Sequence, residues 1–397
     1  MDRMSVRDIE ISGKRVLVRV DFNVPLDEEI GEITDDGRIR ATLPTIKYLI
    51  EQGARVILMS HLGRPKGKIV DNLRLSVVAR RLSQLLGQQV ETTSDCVGPE
   101  VERSVANLKG GDVLLLENLR FHPEEETGNA SFAQALANLG DVFVNDAFGA
   151  AHRAHASIVG ATNYLPAVAG FLMEKEIKNL GSISENPAHP FAALLGGAKV
   201  SDKVSVLENI IGKLDSLLIG GGMAATFLKA KSCEVGLSLV EADKLDNAAA
   251  LMEKVTRRGA RLLLPVDVIV AGETNIETRV ETVSVTNIPQ DKKIVDIGAQ
   301  TIKNFREELQ KCKTVFWNGP MGIYEIPQFA RGTQEMAKLL ASLNAATIIG
   351  GGSTADVVGD MGLADKMTFV STGGGASLEF LSGDTLPGVA ALLDKKS

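Results

Sequence analysis

The residues that could bind anions differ in type between the two halves of this chain. In the first half they are arginines and histidines, and all five histidines precede residue 190. In the second half they are lysines and runs of glycine. A guanidinium group suits a small, highly charged acid, whereas backbone N–H groups at a glycine-rich turn suit the phosphates of a nucleotide. The sequence therefore predicts that one chain holds two different phosphorylated molecules, one in each half.

Four arginines of the first half lie in or beside polar motifs near the ends of predicted elements. Taken singly, each motif has an ordinary explanation as a turn or a solvated surface group. Taken together, the guanidinium groups match the needs of a phosphate ester that also carries a carboxylate. The candidate residues are Asp21, Phe22, Asn23, Arg38, His61, Leu62, Gly63, Arg64, Arg120 and Arg153.

The second half offers glycine turns that precede predicted helices. Lys199 and Lys203 follow Gly196-Gly197, and the two lysines share a helix face if both are helical. Surface lysines beside a glycine turn are the ordinary alternative, as a surface carboxylate is for Glu325, which could accept hydrogen bonds from a ribose. The further candidates in these turns are Gly351, Gly352, Ser353, Thr354, Gly373, Gly374 and Gly375.

Two other nucleotide-binding patterns match these turns poorly or only loosely. None of the three Gly-Lys pairs is followed by Ser or Thr, so the chain lacks the common phosphate-binding loop. The stretches 220–225 and 350–355 fit a loose G-x-G-x-x-A pattern, although the first predicted βα unit lacks it. A dinucleotide-dependent oxidoreductase therefore remains an alternative interpretation.

Short apolar runs and helical segments alternate along the chain and would position these motifs. Runs that are apolar throughout are typical of strands buried on both faces of a parallel sheet. We expect an α/β fold of two doubly wound domains with mainly parallel sheets, and ligands beyond the carboxyl ends of the strands. Predicted strands include 15–22, 55–61, 112–121, 141–149, 191–197, 216–223, 260–270, 314–322, 346–354 and 367–375, and predicted helices include 42–53, 72–87, 201–213 and 243–259.

Length and composition limit the class of protein. A chain of 397 residues is too long for one ordinary core, so two domains are expected. The net charge of −7 argues against non-specific binding of nucleic acid. The three cysteines are far apart and fit no metal-ligand spacing, and no run of 18 apolar residues occurs. These features predict a cytoplasmic protein with no membrane partner.

A domain boundary is expected near residues 170–190. The stretch 171–186 is typical of a helix, and Pro187 and Pro190 would end it. We therefore predict a first domain over 1–170, a hinge helix over 171–186 and a second domain from 187 to 385.

Eight segments, taken in order, resemble the phosphoglycerate kinase family over essentially the whole chain. No single segment is decisive, but their order leaves little room for another family. They are RVDFNVPL (19–26), DDGRIRATLPTI (35–46), SHLGRPKG (60–67), LLENLRFHPEE (115–125), NDAFGAAHRAHAS (145–157), LGGAKVSDK (195–203), WNGPMG (317–322) and STGGGASLEF (371–380).

The resemblance implies a role for each candidate. It implies that the first domain binds 3-phosphoglycerate or 1,3-bisphosphoglycerate through the first-half set above. It implies that the second domain binds ADP or ATP with Mg²⁺ through Lys199, Lys203, Glu325, the 351–354 loop and the backbone near Ile294. Arg38, Lys199 and Gly373 to Gly375 are expected to stabilise the transferring phosphoryl group. A monomer is expected, with segment 386–397 returning to the first domain.

The chain departs from the family pattern at one position. The family's nucleotide loop carries an aspartate that contacts the metal, and Ser353 stands in its place. We hypothesise that Asp356, three residues on, takes over that role, and the identity of the metal ligands stays open. The missing aspartate also leaves a second alternative, a non-catalytic sensor of nucleotides or sugar phosphates.

Overall fold

The computed structural model describes residues 2–27 and 29–395. By its internal contacts the chain divides into two compact units, one comprising Met1–Lys178 with Thr385–Ser397 and the other Asn179–Asp384. The predicted first domain and the predicted returning segment also contain residues 1, 28, 396 and 397, which lie outside the described part.

A six-stranded parallel sheet forms the centre of the first unit, in the order β3-β4-β2-β1-β5-β6. Five of the six residues of the central strand, β1, are buried, because helices cover both faces of the sheet. The strands are β1 (Arg15–Val20), β2 (Arg55–Met59), β3 (Val90–Thr92), β4 (Val113–Leu115), β5 (Val142–Asp146) and β6 (Ala167–Ala169).

The first helix begins earlier than the sequence predicts. Pro44 suggested a start near residue 42, but the helix begins at Gly37 and Pro44 lies inside it. The helix buries Ile39, Ile46 and Leu49 against the core, and this packing outweighs the hydrogen bond that proline cannot donate. Arg38 therefore lies in the first helical turn.

The α-helices up to residue 185 are α1 (Gly37–Glu51), α2 (Ser76–Leu86), α3 (Pro99–Asn107), α4 (Pro123–Glu126), α5 (Ala130–Ala137) and α6 (Phe171–Glu185).

Two sheets form the second unit. A six-stranded parallel sheet has the order β15-β14-β13-β7-β8-β9, and a three-stranded antiparallel sheet has the order β11-β10-β12. The strands are β7 (Phe191–Leu195), β8 (Ser216–Ile219), β9 (Arg261–Leu263), β10 (Asp267–Ala271), β11 (Glu281–Ser284), β12 (Lys293–Ile297), β13 (Thr314–Asn318), β14 (Ala346–Gly350) and β15 (Phe369–Val370).

The predicted single strand 260–270 is wrong. The segment forms β9 and β10, which belong to different sheets. Pro265 lies between them, and a residue without a backbone N–H interrupts a ladder of hydrogen bonds. The smaller sheet was not predicted.

The helices of the second unit surround a core that includes Trp317, Phe305 and Met336, all with no exposed surface. None of the helices in the described residues is long and apolar enough to cross a membrane. The helices are α7 (Val204–Ile210), α8 (Met223–Ala230), α9 (Leu245–Arg257), α10 (Ala299–Leu309), α11 (Arg331–Ser342), α12 (Gly352–Asp360) and α13 (Gly375–Leu381), and α14 (Pro387–Ala390) follows in the first unit.

The carboxyl end of the chain completes the first unit. Leu393 accepts a hydrogen bond from the backbone N–H of Met4 (2.8 Å) and donates one to Ala167 (2.9 Å). The Asn145 side chain donates to the carbonyl of Gly388 (3.2 Å). The α/β prediction with mainly parallel sheets is confirmed for both units.

Candidate active site

The predicted anion-binding motifs of the first unit meet at the carboxyl edge of its sheet. Strand β1 pairs with β2, so the residues that follow the two strands are neighbours. The Ser60 hydroxyl accepts a hydrogen bond from the backbone N–H of Phe22 (2.9 Å). The Asn23 side chain accepts one from the backbone N–H of Gly63 (2.8 Å). Phe22 and Leu62 are buried, and their apolar side chains anchor the two loops.

Two of the predicted arginines are held by specific partners. Arg38 forms an ion pair with Asp21 (2.7 Å), and its side chain stays 40% exposed. Arg120 donates to the carbonyl of Gly63 (2.9 Å). A short 3₁₀ turn, Leu119–Phe121, carries Arg120. Arg64 is exposed in the same loop as Gly63.

Four guanidinium groups surround His61. Burial and the positive charges of Arg19, Arg120, Arg153 and Arg38, in that order, hold the pKa of His61 well below its usual value. His61 is therefore neutral at physiological pH. The structure brings Arg38, Arg120, Arg153 and His61 together.

Burial and some of the same arginines also lower the pKa of a second histidine, His155. Burial and the nearby Arg120, Arg153 and Arg19 lower the pKa of His155 to about 4. The positive charges of these arginines create a local preference for an anionic ligand, which the nearby Asp21, Glu125 and Glu126 offset in part.

Sequence reasoning missed three buried residues behind this cluster, Arg19, Glu125 and Ser157. Arg19 donates from Nε to the Ser157 hydroxyl (2.8 Å). Ser157 donates in turn to Glu125 (2.6 Å). A charged residue within the otherwise apolar stretch 16–20 of β1 was a signal that could have identified Arg19.

In the second unit, strand register places the predicted glycine turns side by side. Asn318 at the end of β13 is paired with Gly350 of β14 and with Leu195 of β7. Leu195 is paired with Ile219 of β8. The turns that begin at Gly196, Gly220, Gly319 and Gly351 therefore lie in a row along one edge of the sheet.

Some of these glycines are needed because the turns pack directly on one another. Gly196 donates its N–H to the carbonyl of Asn318 (2.9 Å), and Gly197 donates to Pro320 (2.9 Å). A side chain at Gly319, where φ is +93°, would place its Cβ 2.3 Å from the Gly196 carbonyl oxygen. Close approach of the turns is therefore one reason for glycine here, besides any ligand.

A cavity of about 420 Å³ opens beside this row of turns. Three predicted residues, Ile294, Glu325 and Ser353, line it. Leu239 and Tyr324, which the sequence analysis did not select, line it too. A largely apolar pocket with a few polar groups at its rim is typical of a small-molecule site.

Acidic groups gather near one wall of this cavity. Burial and then the charge of Glu325 raise the pKa of Tyr324, and Asp356 and Asp360 contribute further. Ser353 shares a hydrogen bond with Tyr324. The start of α12 therefore lies beside carboxylates and hydroxyls.

Lys199 and Lys203 are not helical, so the condition under which they would share a helix face is not met. Helix α7 begins only at Val204. The backbone N–H groups of Val200 and Ser201 donate to the carboxylate of Glu241 (2.5 and 3.1 Å), which competes with a helical arrangement. Lys203 is buried, and burial lowers the pKa of its amine, whereas Lys199 is exposed.

The glycine motifs at Gly351 and Gly374 each precede a helix. Gly351, with φ of +87°, precedes α12, and the buried Thr354 hydroxyl accepts a hydrogen bond from the backbone N–H of Gly319 (2.7 Å). Gly374, with φ of +53°, precedes α13. The N–H of Gly373 is already bonded to the Ser371 hydroxyl (3.1 Å).

Comparison with known proteins gives one consistent result. The family model described as phosphoglycerate kinase matches residues 6–384. Curated phosphoglycerate kinases from Moorella thermoacetica and Pelotomaculum thermopropionicum are each 55% identical over 395 residues, covering 100% of both chains.

Solved structures agree with these relatives. The phosphoglycerate kinase from Coxiella burnetii has a TM-score of 0.87 at 40% identity, and that from Pyrococcus horikoshii has 0.85 at 35%. Each comparison covers 98% of both chains. By sequence and by structure, this chain belongs to the phosphoglycerate kinase family.

Proposed function

We propose that the first unit binds the phosphoglycerate and that the second unit binds the nucleotide in the reaction of this family. That reaction is the reversible transfer of a phosphoryl group between 1,3-bisphosphoglycerate and ADP, which gives 3-phosphoglycerate and ATP in glycolysis.

The observation that carries the proposal is the cluster of guanidinium groups around neutral His61. 3-Phosphoglycerate carries a phosphate and a carboxylate, and guanidinium groups bind both with two-pronged hydrogen bonds. Asp21 holds Arg38 in place at 2.7 Å, and Asn23 fixes the loop that contains Gly63 and Arg64.

The nucleotide is assigned to the cavity lined by Ile294, Glu325 and Ser353. Its apolar part suits a base, and Glu325 suits a ribose hydroxyl. The amides at the start of α12, from Gly351 to Thr354, and the amine of Lys203 suit the phosphates.

The transfer requires no covalent intermediate with the protein. A carboxylate is already a nucleophile at neutral pH, so the protein must align the two reactants and neutralise charge on the oxygens in transfer. Arg38, Lys199 and the amides of Gly373 to Gly375 are the groups to which we assign that neutralisation.

Mg²⁺ bound to the nucleotide is part of the proposal, and the residues near Ser353 fit it. Magnesium prefers oxygen ligands and usually keeps several waters. The charge of Asp356 acts on Tyr324, which shares a hydrogen bond with Ser353, so a carboxylate is close to the start of α12. Asp356 is the residue that we assign to the metal, whose chemistry is to neutralise phosphate charge.

The proposal also places the protein in the cytoplasm as a monomer. The net charge of −7 supports the expectation that nucleic acid is not a partner. The assigned ligands are then a phosphorylated metabolite and a nucleotide with its Mg²⁺.

A coupled assay of ATP formation from 1,3-bisphosphoglycerate and ADP tests the function. ATP production that requires both substrates is the expected result. A sensor would bind them without turnover, and an oxidoreductase would retain NAD rather than ADP during equilibrium dialysis.

A further inference from the structure

The guanidinium of Arg19 is buried in the first unit. Its side chain is 1% exposed. Nε donates to Ser157, one terminal nitrogen donates to the carbonyl of Val20, and the other lies 3.1 Å from Nδ1 of His61. Each of the three guanidinium nitrogens of Arg19 therefore has a partner within the protein.

The contact with His61 determines which ring nitrogen carries the proton. A guanidinium group can only donate hydrogen bonds. Nδ1 of His61 must therefore accept, and the neutral ring must carry its hydrogen on Nε2. The same contact prevents Nδ1 from acting as a donor to any ligand.

Glu125 and Ser157 hold Arg19 in the orientation that this contact needs. Glu125 has no exposed surface, and its two oxygens accept from the Ser157 hydroxyl (2.6 Å) and the Ser157 backbone N–H (2.9 Å). With its hydroxyl hydrogen committed to Glu125, Ser157 presents a lone pair to Nε of Arg19. The order of donors is thus fixed, because Arg19 donates to Ser157 and Ser157 donates to Glu125.

We infer that Glu125 and Ser157 are positioning residues that act through Arg19 to keep His61 as an Nε2–H donor for the anionic substrate. This inference rests on the proposed function, because it assumes that the acid binds in the cluster of Arg38, Arg120 and Arg153.

The inference can be separated from a simple effect of charge. Removing the negative charge of Glu125 beside several arginines would, by Coulomb attraction alone, tighten the binding of an anion. Loss of the positioning of His61 is expected to weaken the binding of the anion. In Glu125→Gln an NH₂ group, which can only donate, replaces one of the two oxygens that accept from Ser157, so the order of donors breaks.

Nuclear magnetic resonance of protein labelled with ¹⁵N-histidine measures the proton position directly. The ring signals of His61 are assigned by comparison with His61→Gln. We expect wild-type His61 to be protonated at Nε2 alone, and both nitrogens to be partly protonated in Ser157→Ala. A wild-type ring protonated at Nδ1 overturns the inference without any variant.

Steady-state kinetics give the second readout. Ser157→Ala and Glu125→Gln are each expected to raise the KM for 3-phosphoglycerate about tenfold, as for a lost hydrogen bond to a charged group, and to leave the KM for ATP unchanged. Ser216→Ala is the matched control, because Ser216 is a buried serine that donates to the buried Glu308 in the second unit.

Two outcomes separate this inference from the proposed function. If 3-phosphoglycerate does not perturb the ring signals of wild-type His61, the assignment of the substrate site is wrong and the inference falls with it. If it does perturb them, but Ser157→Ala and Glu125→Gln behave like Ser216→Ala, only the positioning role is wrong.

Discussion

Replacing Arg38 is expected to lower the rate of catalysis far more than it weakens the binding of substrate. Arg38 is partly exposed, and Asp21 is its ion-pair partner among the described residues, so it can reach a ligand. Loss of a charged group that stabilises the transition state reduces turnover by about 10²–10³. We expect Arg38→Ala to lower kcat by that factor and to change the KM for 3-phosphoglycerate much less, as measured by steady-state kinetics.

Arg40 provides the control for this prediction. It lies two residues along α1 and forms an ion pair with Asp36 (2.8 Å) at a mostly exposed position. Arg40→Ala should leave kcat and KM unchanged. If Arg38→Ala raises KM and leaves kcat intact, Arg38 serves only to bind substrate.

Asp356 is expected to set the dependence of turnover on magnesium. Ser353 cannot contribute a carboxylate, and Asp356 lies in the same helix, α12. In Asp356→Asn the concentration of Mg²⁺ that gives half-maximal turnover should rise several-fold, because one anionic oxygen ligand is lost. Titration of turnover with Mg²⁺ at fixed ATP measures it.

Asp360 is the matched control because it lies at the end of the same helix. Asp360→Asn should leave the magnesium dependence unchanged. An unchanged dependence in Asp356→Asn as well would rule out the proposed ligand.

At the scale of single elements, Asp146 connects strand β5 to helix α6. Its carboxylate accepts from the backbone N–H groups of Leu172 (2.9 Å) and Met173 (3.2 Å), at the start of α6. Burial outweighs these bonds and raises the pKa of Asp146 to about 7. The native state therefore holds its proton at pH values where the unfolded chain has lost it.

This pKa predicts the sign of a pH effect on stability. Between about pH 4 and 7 the native state binds the extra proton, so the contribution of Asp146 to stability decreases as pH rises through that range. The free energy of unfolding of Asp146→Asn minus that of wild type should therefore be larger at pH 8 than at pH 5, by an amount on the order of a few kcal/mol. Thermal unfolding at both values measures the difference.

Asp141 supplies a control of opposite sign. Its ion pair with Arg15 (2.6 Å) lowers the pKa of its carboxyl, so its contribution is present at neutral pH and lost in acid. Asp141→Asn should destabilise the protein at pH 7 and have little effect at low pH. If Asp146→Asn showed the same pH dependence as Asp141→Asn, the raised pKa would be wrong.

The sequence predicted the strands, helices and binding motifs better than it predicted which residues contact one another. Apolar runs located most strands of the two larger sheets because buried strands need little else. They could not show that Pro44 lies inside α1, since the packing of Ile39 and Leu49 decides that. Nor could they show that Glu241 occupies the N–H groups of Val200 and Ser201, because that contact spans 40 residues.

At the scale of the whole molecule, two ligands assigned to two units must meet for a phosphoryl group to pass between them. We predict closure about residues 170–190, which also excludes water from the acyl phosphate. Small-angle X-ray scattering should show a smaller radius of gyration with 3-phosphoglycerate and ATP together than with either alone. An unchanged radius would count against closure.

The return of the last residues to the first unit determines the order in which the protein can be completed during translation. Gly388 and Leu393 bond to Asn145, Met4 and Ala167, so those contacts must wait until residues 388–393 have left the ribosome. The unit formed by Asn179–Asp384 has no such requirement. Although domains usually mature in the order of their synthesis, here the part that is made first is finished last.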